Sequence, residues 1–258
     1  MGRFASTAEY YSRFREPYPP QFFQAVAKRL SLTRRTRLLD IGCGPAPLAI
    51  GFAPLVASVT GVDPEPNMLA AARDAAQKAG VKLELIQGRA EGMPETLGTF
   101  DMVTIGRALH WFDRATALPA LERVVGNSAY IVICGATASH VPANRWAKEF
   151  NEIRRAWSAE IPHPFPKSEA PRKEWVEYFE AWFAGSRFRF VDDISVVDHR
   201  QVAISDLVGR ALSMSTTSPE ALGDRRKAFE QAITNALEPY AQDGVLVEEI
   251  IALATVFR

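Results

Sequence analysis

The apolar positions of this chain change period again and again along its first half. Between Pro20 and Leu30, Phe22, Phe23, Val26 and Leu30 recur at helical spacing, and Arg37 to Ile41 then reads as a short buried strand. The unit repeats. Leu48 to Leu55 predicts a helix, Ser58 to Val62 a strand, Asn67 to Ala79 an alanine-rich helix closed by Gly80, and Lys82 to Gln87 a strand. Phe100 to Gly106 is a further strand, Ala115 to Val125 a helix, and Ala129 to Cys134 another strand. Strands alternating with helices predict a parallel sheet covered on both faces through right-handed crossovers. Ligands of such sheets bind beyond the carboxyl ends of the strands.

After Gly135 the alternation stops. Trp146, Phe150 and Trp157 stand at helical spacing, the prolines of PHPFP at 162–166 break that helix, and Trp175, Phe179, Trp182 and Phe183 form a second stripe. The stretch reads as a helical insertion that caps the sheet rather than a domain of its own, and core packing is the expected role of any single aromatic in it. Strands are expected again at Phe188 to Val197 and Val247 to Phe257, with helices near Ile204 to Leu212 and Pro219 to Leu237.

Composition narrows the class. With 258 residues, 47% of them hydrophobic, the chain can bury one substantial core, and 30 basic against 30 acidic residues leave no net field to draw it to nucleic acid or an anionic membrane. Cys43 and Cys134 each lie alone in an apolar run, so neither a disulfide framework nor a zinc cluster is expected and a reducing cytoplasm fits. No stretch reaches the length of a membrane span, and the start lacks the apolar segment of a signal peptide. His140, His163 and His199 lack metal-ligand spacing, and no metal is expected.

The candidate chemistry lies in LLDIGCGPA, Leu38 to Ala46, a strand feeding a glycine turn and a helix. Gly42 and Gly44 let the backbone turn sharply and approach a ligand closely. Asp63, at the end of the next strand in VTGVDP, is an acceptor for a ribose diol; it also suits an N-cap for the helix after Pro64. Met68 offers a polarizable face to a base or simply fills the core.

Taken in order, LLDIGCGPA, VTGVDP with Met68, QGRAEGMP and TFDMVTIGRALHWFD resemble class I S-adenosylmethionine-dependent methyltransferases, in particular the small-molecule branch with type 11-like and trans-aconitate methyltransferase-like enzymes. The likeness covers about Tyr10 to Cys134. It implies an α/β fold with a Rossmann-like sheet of seven strands, mostly parallel with the last antiparallel, and a helical cap. It also implies one domain over 1–258, with a cofactor-binding core at about 33–137, N-terminal lid helices over 1–32, and cap insertions at about 138–186 and 201–242.

The resemblance implies S-adenosyl-L-methionine as cofactor and S-adenosyl-L-homocysteine as product. It assigns Tyr11, Arg15, Asp40, Gly42, Cys43, Gly44, Asp63, Pro64, Met68, Ala90, Glu91 and Arg107 to cofactor binding, with Arg15 on the cofactor carboxylate. Many relatives carry an acid where this chain has Arg89, which leaves Glu91 as the candidate for the adenine amine, and Glu16 stands where a proline is expected after Arg15. For the acceptor it points to Tyr18, His110, Trp111, Arg210 and Ser213, with His110 as base, orienting group or structural histidine.

The partner expected is a small-molecule acceptor, neither nucleic acid nor membrane, and the chain is a monomer or homodimer. Oxygen is favoured over nitrogen or carbon, and a carboxylate in particular, because an ionised carboxylate needs no base and none stands out. Two other readings remain: a non-catalytic member that binds S-adenosylmethionine or a partner, and an NAD-dependent oxidoreductase. Against the latter, the third glycine of the dinucleotide motif is Pro47 and Asp40 precedes the turn.

Overall fold

A computed structural model describes residue 10 and residues 13–158 and 171–258 of the chain. Its seven strands are β1 (Arg37–Ile41), β2 (Ser58–Asp63), β3 (Glu84–Gln87), β4 (Phe100–Gly106), β5 (Val125–Thr137), β6 (Phe190–Ala203) and β7 (Val245–Phe257), in the order β3-β2-β1-β4-β5-β7-β6. The helices are α1 (Pro20–Arg29), α2 (Pro47–Phe52), α3 (Pro66–Ala79), α4 (Arg114–Val124), α5 (Ala147–Trp157), α6 (Arg172–Trp182), α7 (Ile204–Leu212), α8 (Pro219–Leu222) and α9 (Arg226–Leu237).

Strands β1 to β5 pair in parallel through β3·β2, β2·β1, β1·β4 and β4·β5. One strand of the sheet is antiparallel. The reversal is visible where Arg189 and Arg258 exchange both backbone hydrogen bonds, each 2.9 Å, a reciprocity that only antiparallel neighbours make. The chain leaves β1 for β2 on one side and reaches β4 on the other, so strand order reverses at β1 and opens a crevice at the carboxyl ends of β1 and β4.

Local chemistry fixes the element ends. Gly80 takes a left-handed conformation at φ +66°, and Val81 donates its N–H to Ala76 O at 3.0 Å, which closes α3. This cap draws 81–83 out of the sheet, so β3 begins at Glu84 rather than Lys82. Gly223, at φ +54°, divides the helical stretch expected from Pro219 to Leu237 into α8 and α9.

The chain's contacts group into two compact units. One comprises Tyr18–Gly135, the described part of 164–196 and Ala252–Arg258; the other comprises the described residues before Tyr18, those of 136–163, and Val197–Ile251. In the first, the sheet unit, Leu39, Ile105, Leu121, Phe179, Trp182, Phe183 and Phe257 share one buried core, and Arg114 Nε donates to Trp182 O at 2.6 Å. In the second, the helical unit, Trp146, Phe150, Leu207, Phe229, Ile233 and Ile250 form a separate core. The aromatic stripes are therefore core, and the insertion expected over 138–186 divides: α5 belongs to the helical unit and α6 to the sheet unit. No helix among the described residues is long and apolar enough to cross a membrane.

Candidate cofactor and acceptor site

The carboxyl ends of β1, β2 and β3 are laced together by hydrogen bonds. Gly42 and Cys43 both donate their N–H to Val62 O, at 2.8 and 3.1 Å, and Gly88 donates to Asp63 O at 3.1 Å. Asp63 completes the lacing with its side chain: Oδ2 accepts from Gly44 N–H at 2.8 Å and Oδ1 from Glu65 N–H at 2.9 Å. Helix α3 starts at Pro66 with Glu65 as its N-cap, so Asp63 shapes the turn before the helix rather than capping it. Burial raises the Asp63 pKa, while its two backbone donors favour the carboxylate. Each oxygen keeps a lone pair for a further donor such as a hydroxyl.

The glycine turn is tight for a stated reason. Gly42 sits at φ +66°, and a Cβ there would lie 2.5 Å from Ala108 Cβ and 3.8 Å from the Phe112 ring. The loop after β4 thus rests directly on the turn after β1. Gly42→Ala combines a clash with a left-handed backbone and is expected to cost roughly 2 kcal/mol or more of stability; a urea midpoint within error of wild type would contradict this. Helix α2 starts at Pro47, so Pro45 lies in the turn and not in the first helical turn.

Asp40 lies beneath the turn, 1% exposed. It pairs in register with Thr104 of β4, whose hydroxyl donates to Asp40 Oδ1 at 2.7 Å. Its Oδ2 has no hydrogen-bond partner among the described residues, and the Ala49 amide favours the ionised form. Burial dominates and pushes its pKa from 3.8 up to about 7. A carboxyl whose folded pKa is raised contributes stability that is fully present below its unfolded pKa and is lost as pH rises through the folded one. The loss amounts to roughly 4 kcal/mol between about pH 4 and about pH 8. Asp40→Asn is therefore expected to flatten the fall in stability across this window in urea titrations at several pH values; an unchanged slope would show that Asp40 does not carry it.

The other cofactor candidates of the sheet unit fall around the same strand ends. Cys43 is buried after Gly42, and burial raises its thiol pKa, so it is inert filling rather than a nucleophile. Pro64 follows Asp63 and is exposed, its carbonyl accepting from Gln87 Nε2 at 3.3 Å. Met68 and Ala90 are buried, on α3 and at the start of the short turn after β3. Glu91 is already engaged: Oε1 accepts from Asp113 N–H at 2.9 Å, and Oε2 lies 3.4 Å from Arg89 Nε. The geometry thus gives Glu91 and Arg89 to each other and to the loop after β4.

That loop carries the cofactor candidate Arg107 and the acceptor candidates His110 and Trp111, while the acceptor candidate Tyr18 lies just before α1. Arg107 takes a left-handed backbone at φ +55°, donates its N–H to Cys134 O at 3.2 Å, and places its guanidinium 5.4 Å from the Tyr18 ring centroid. Tyr18 is buried. His110 is half-buried with its ring 4.7 Å from that of Trp111, which is 37% exposed.

Three other expected site residues belong to the helical unit. Arg15 Nη2 donates to Ser213 O at 3.4 Å, and Ser213 is fully buried with its hydroxyl on Arg210 O at 2.6 Å. Arg210, expected to meet an acidic acceptor, is wholly buried. Its Nη1 and Nη2 donate to Glu248 Oε2 and Oε1 at 2.8 and 2.9 Å, and Nε to Phe14 O at 3.1 Å. The structure corrects that expectation, because a guanidinium saturated by an internal carboxylate has no face for an acceptor. Tyr11 lies outside the described residues.

Sequence reasoning did not single out Thr104, Asp113 or Glu248. A polar residue inside the apolar FDMVTIG run was the available signal for Thr104; none existed for Glu248.

A methyltransferase-domain family model matches residues 38–128 of the chain, the span that holds the laced strand ends. The chain is 29% identical over 181 residues to the uncharacterized methyltransferase Rv3342 of Mycobacterium tuberculosis, covering 68% of this chain and 70% of that one. The crystal structure of YcgJ from Bacillus subtilis superposes with a TM-score of 0.53 at 21% identity, over 91% of this chain and 96% of that one. A shorter likeness, 38% over 77 residues and 30% of each chain, is to a ubiquinone biosynthesis O-methyltransferase of Azorhizobium caulinodans. The chain thus carries a methyltransferase-domain match over part of its length, is similar to proteins named as methyltransferases, and shares the fold of the YcgJ structure.

Proposed function

We propose that this protein is a class I S-adenosylmethionine-dependent methyltransferase that uses S-adenosyl-L-methionine to methylate an oxygen of a small-molecule acceptor, a carboxylate in the first instance. The observation that carries the reading is the Asp63 carboxylate, fixed by two backbone amides beside the glycine turn with lone pairs left for a diol. The unpartnered, buried Asp40 Oδ2 also suits a cofactor that brings a cationic amino group. Asp63 would hold the ribose, Met68 and Ala90 the adenine, and the turn from Gly42 to Gly44 the methionine portion.

When bound, the cofactor supplies a sulfonium methyl group that leaves with the electron pair of the broken S–C bond remaining on sulfur. The protein's part is to orient the acceptor and exclude water. A carboxylate acceptor forms the new O–C bond from a lone pair it already has, so no proton moves. His110 then orients rather than abstracts, and Ubiquinone-type O-methylation by a partial relative supports oxygen over nitrogen.

Incubation with the cofactor and a panel of acids, phenols and amines, read by mass spectrometry, tests this. Methyl esters from acids are expected, and turnover of amines alone would overturn the acceptor assignment. His110→Gln is expected to lower kcat without changing the shape of the pH–rate profile between pH 5 and 8, whereas loss of the acidic limb would make His110 a general base.

A further inference from the structure

Resting on the proposed function, the pairing of Asp40 with Thr104 gives a role to a residue that no motif marks. The two lie on the central strands β1 and β4, beside the point where strand order reverses, and they pair in register. Their neighbours Leu39, Ile41, Val103 and Ile105 turn to the opposite face and join the apolar core of the sheet unit. Thr104 is 0% exposed and Asp40 1%, so neither polar side chain is left to water. The Thr104 hydroxyl donates its one proton to Asp40 Oδ1 at 2.7 Å, which fixes the carboxyl group and leaves Oδ2 buried with no hydrogen-bond partner.

A buried carboxyl group with one unpartnered oxygen is stable in two ways: it keeps a proton, or it meets a cation. In the protein alone burial favours the proton, and the pKa stands at about 7. Around Asp40, β4 contributes the Thr104 hydroxyl and α2 the Ala49 amide, while the titratable groups that share its field are Asp63 at the end of β2, Cys43 in the glycine turn and Cys134 on β5. None of these three is a cation. Two of them also fix the place, because Cys43 lies in the glycine turn and Asp63 holds Gly44 N–H at 2.8 Å. The Asp40 carboxyl is therefore within electrostatic reach of the turn proposed to seat the methionine portion, and an ammonium group held there would supply the charge that Oδ2 lacks.

We propose that Thr104 is a positioning residue for the cofactor: by holding Asp40 Oδ1 it presents Oδ2 to the ammonium group of the methionine portion, and Asp40 releases its proton to solvent as that group arrives. The carboxyl is neutral before binding and half of an ion pair after it, so the buried charge is never left uncompensated. The exchange has a sign. Only the carboxylate pairs with the ammonium, so affinity rises with pH until Asp40 is ionised in the free protein, near pH 7, whereas the stability of the free protein falls over the same range. A pair that served the fold alone would give the second trend without the first.

Calorimetry of S-adenosylhomocysteine binding from about pH 5.5 to about pH 8, in buffers of different ionisation enthalpy, tests this. Wild type is expected to bind about tenfold more weakly at pH 6 than at pH 8 and to release close to one proton per ligand at pH 6. Thr104→Val, or Thr104→Ala should the first not fold, removes the donor that favours the carboxylate; the rise in affinity is expected to move up by about one pH unit, which makes binding about fivefold weaker at pH 7. Thr104→Ser is expected to keep the wild-type profile, and Asp40→Asn to bind weakly, without pH dependence and without proton release. The proposal is overturned if wild-type affinity is flat across the range with no proton released, if Asp40→Asn still releases the proton, which would then come from another group such as Asp63, or if the variant without the Thr104 hydroxyl keeps the wild-type profile. Failure of folded wild type to bind S-adenosylhomocysteine at any of these pH values would strike the proposed function, and this inference with it.

Discussion

Asp63→Ala is expected to weaken binding of S-adenosylhomocysteine by at least a hundredfold while leaving the protein folded. Two effects add. On the proposed reading a ribose diol would lose an ionised acceptor, worth about 1.5–3 kcal/mol per hydrogen bond. The Gly44 and Glu65 amides also lose the oxygens that fix them at 2.8 and 2.9 Å, so the turn proposed to face the methionine portion loosens as well. Asp63→Asn keeps one acceptor oxygen and should fall between the two. Calorimetric affinities for the three proteins in the order wild type, Asn, Ala would agree with this; equal affinities would remove Asp63 from the site.

The largest effect on stability is expected from Arg210→Ala. Arg210 and Glu248 are both fully buried and share a bidentate pair, which Arg200 Nε joins at 2.6 Å from Glu248 Oε1. Removing one partner of a buried pair leaves the other charge desolvated and costs about 3–5 kcal/mol. Replacing both, as in Arg210→Met with Glu248→Leu, is expected to recover most of that loss. Arg200 is about one-third exposed, and Arg200→Ala should cost less, about 1 kcal/mol. Urea denaturation of the three variants distinguishes them, and a loss under 1 kcal/mol in Arg210→Ala would show that the pair does not anchor the helical unit.

The parts of the fold legible in the sequence are those whose periodicity reflects burial on both faces. Strands β1 and β4 run over the residues that the apolar runs indicate, Arg37–Ile41 and Phe100–Gly106, because covered parallel strands must be apolar nearly throughout. Strand β6 shows the converse. It is one of the two edge strands and continues to Ala203 through Asp198, His199, Arg200 and Gln201, which an exposed edge tolerates and an apolar count ends too early.

The site divides in the same way. Gly42, Gly44 and Asp63 are set by local backbone geometry, which leaves a trace in the order of residue types. The partner of Arg210 is not: Glu248 lies 38 positions away on another element, and an arginine in an amphipathic helix reads the same whether it faces solvent, an acceptor or a buried carboxylate. Nor does the sequence betray that Glu91 accepts from Asp113 N–H, 22 positions away on the loop after β4.

The most direct test of the account is calorimetry of the wild-type protein with S-adenosylmethionine, S-adenosylhomocysteine and NAD in parallel. The account predicts micromolar binding of the first two and none of NAD. Binding of NAD, or of none of the three by protein shown to be folded, would contradict it.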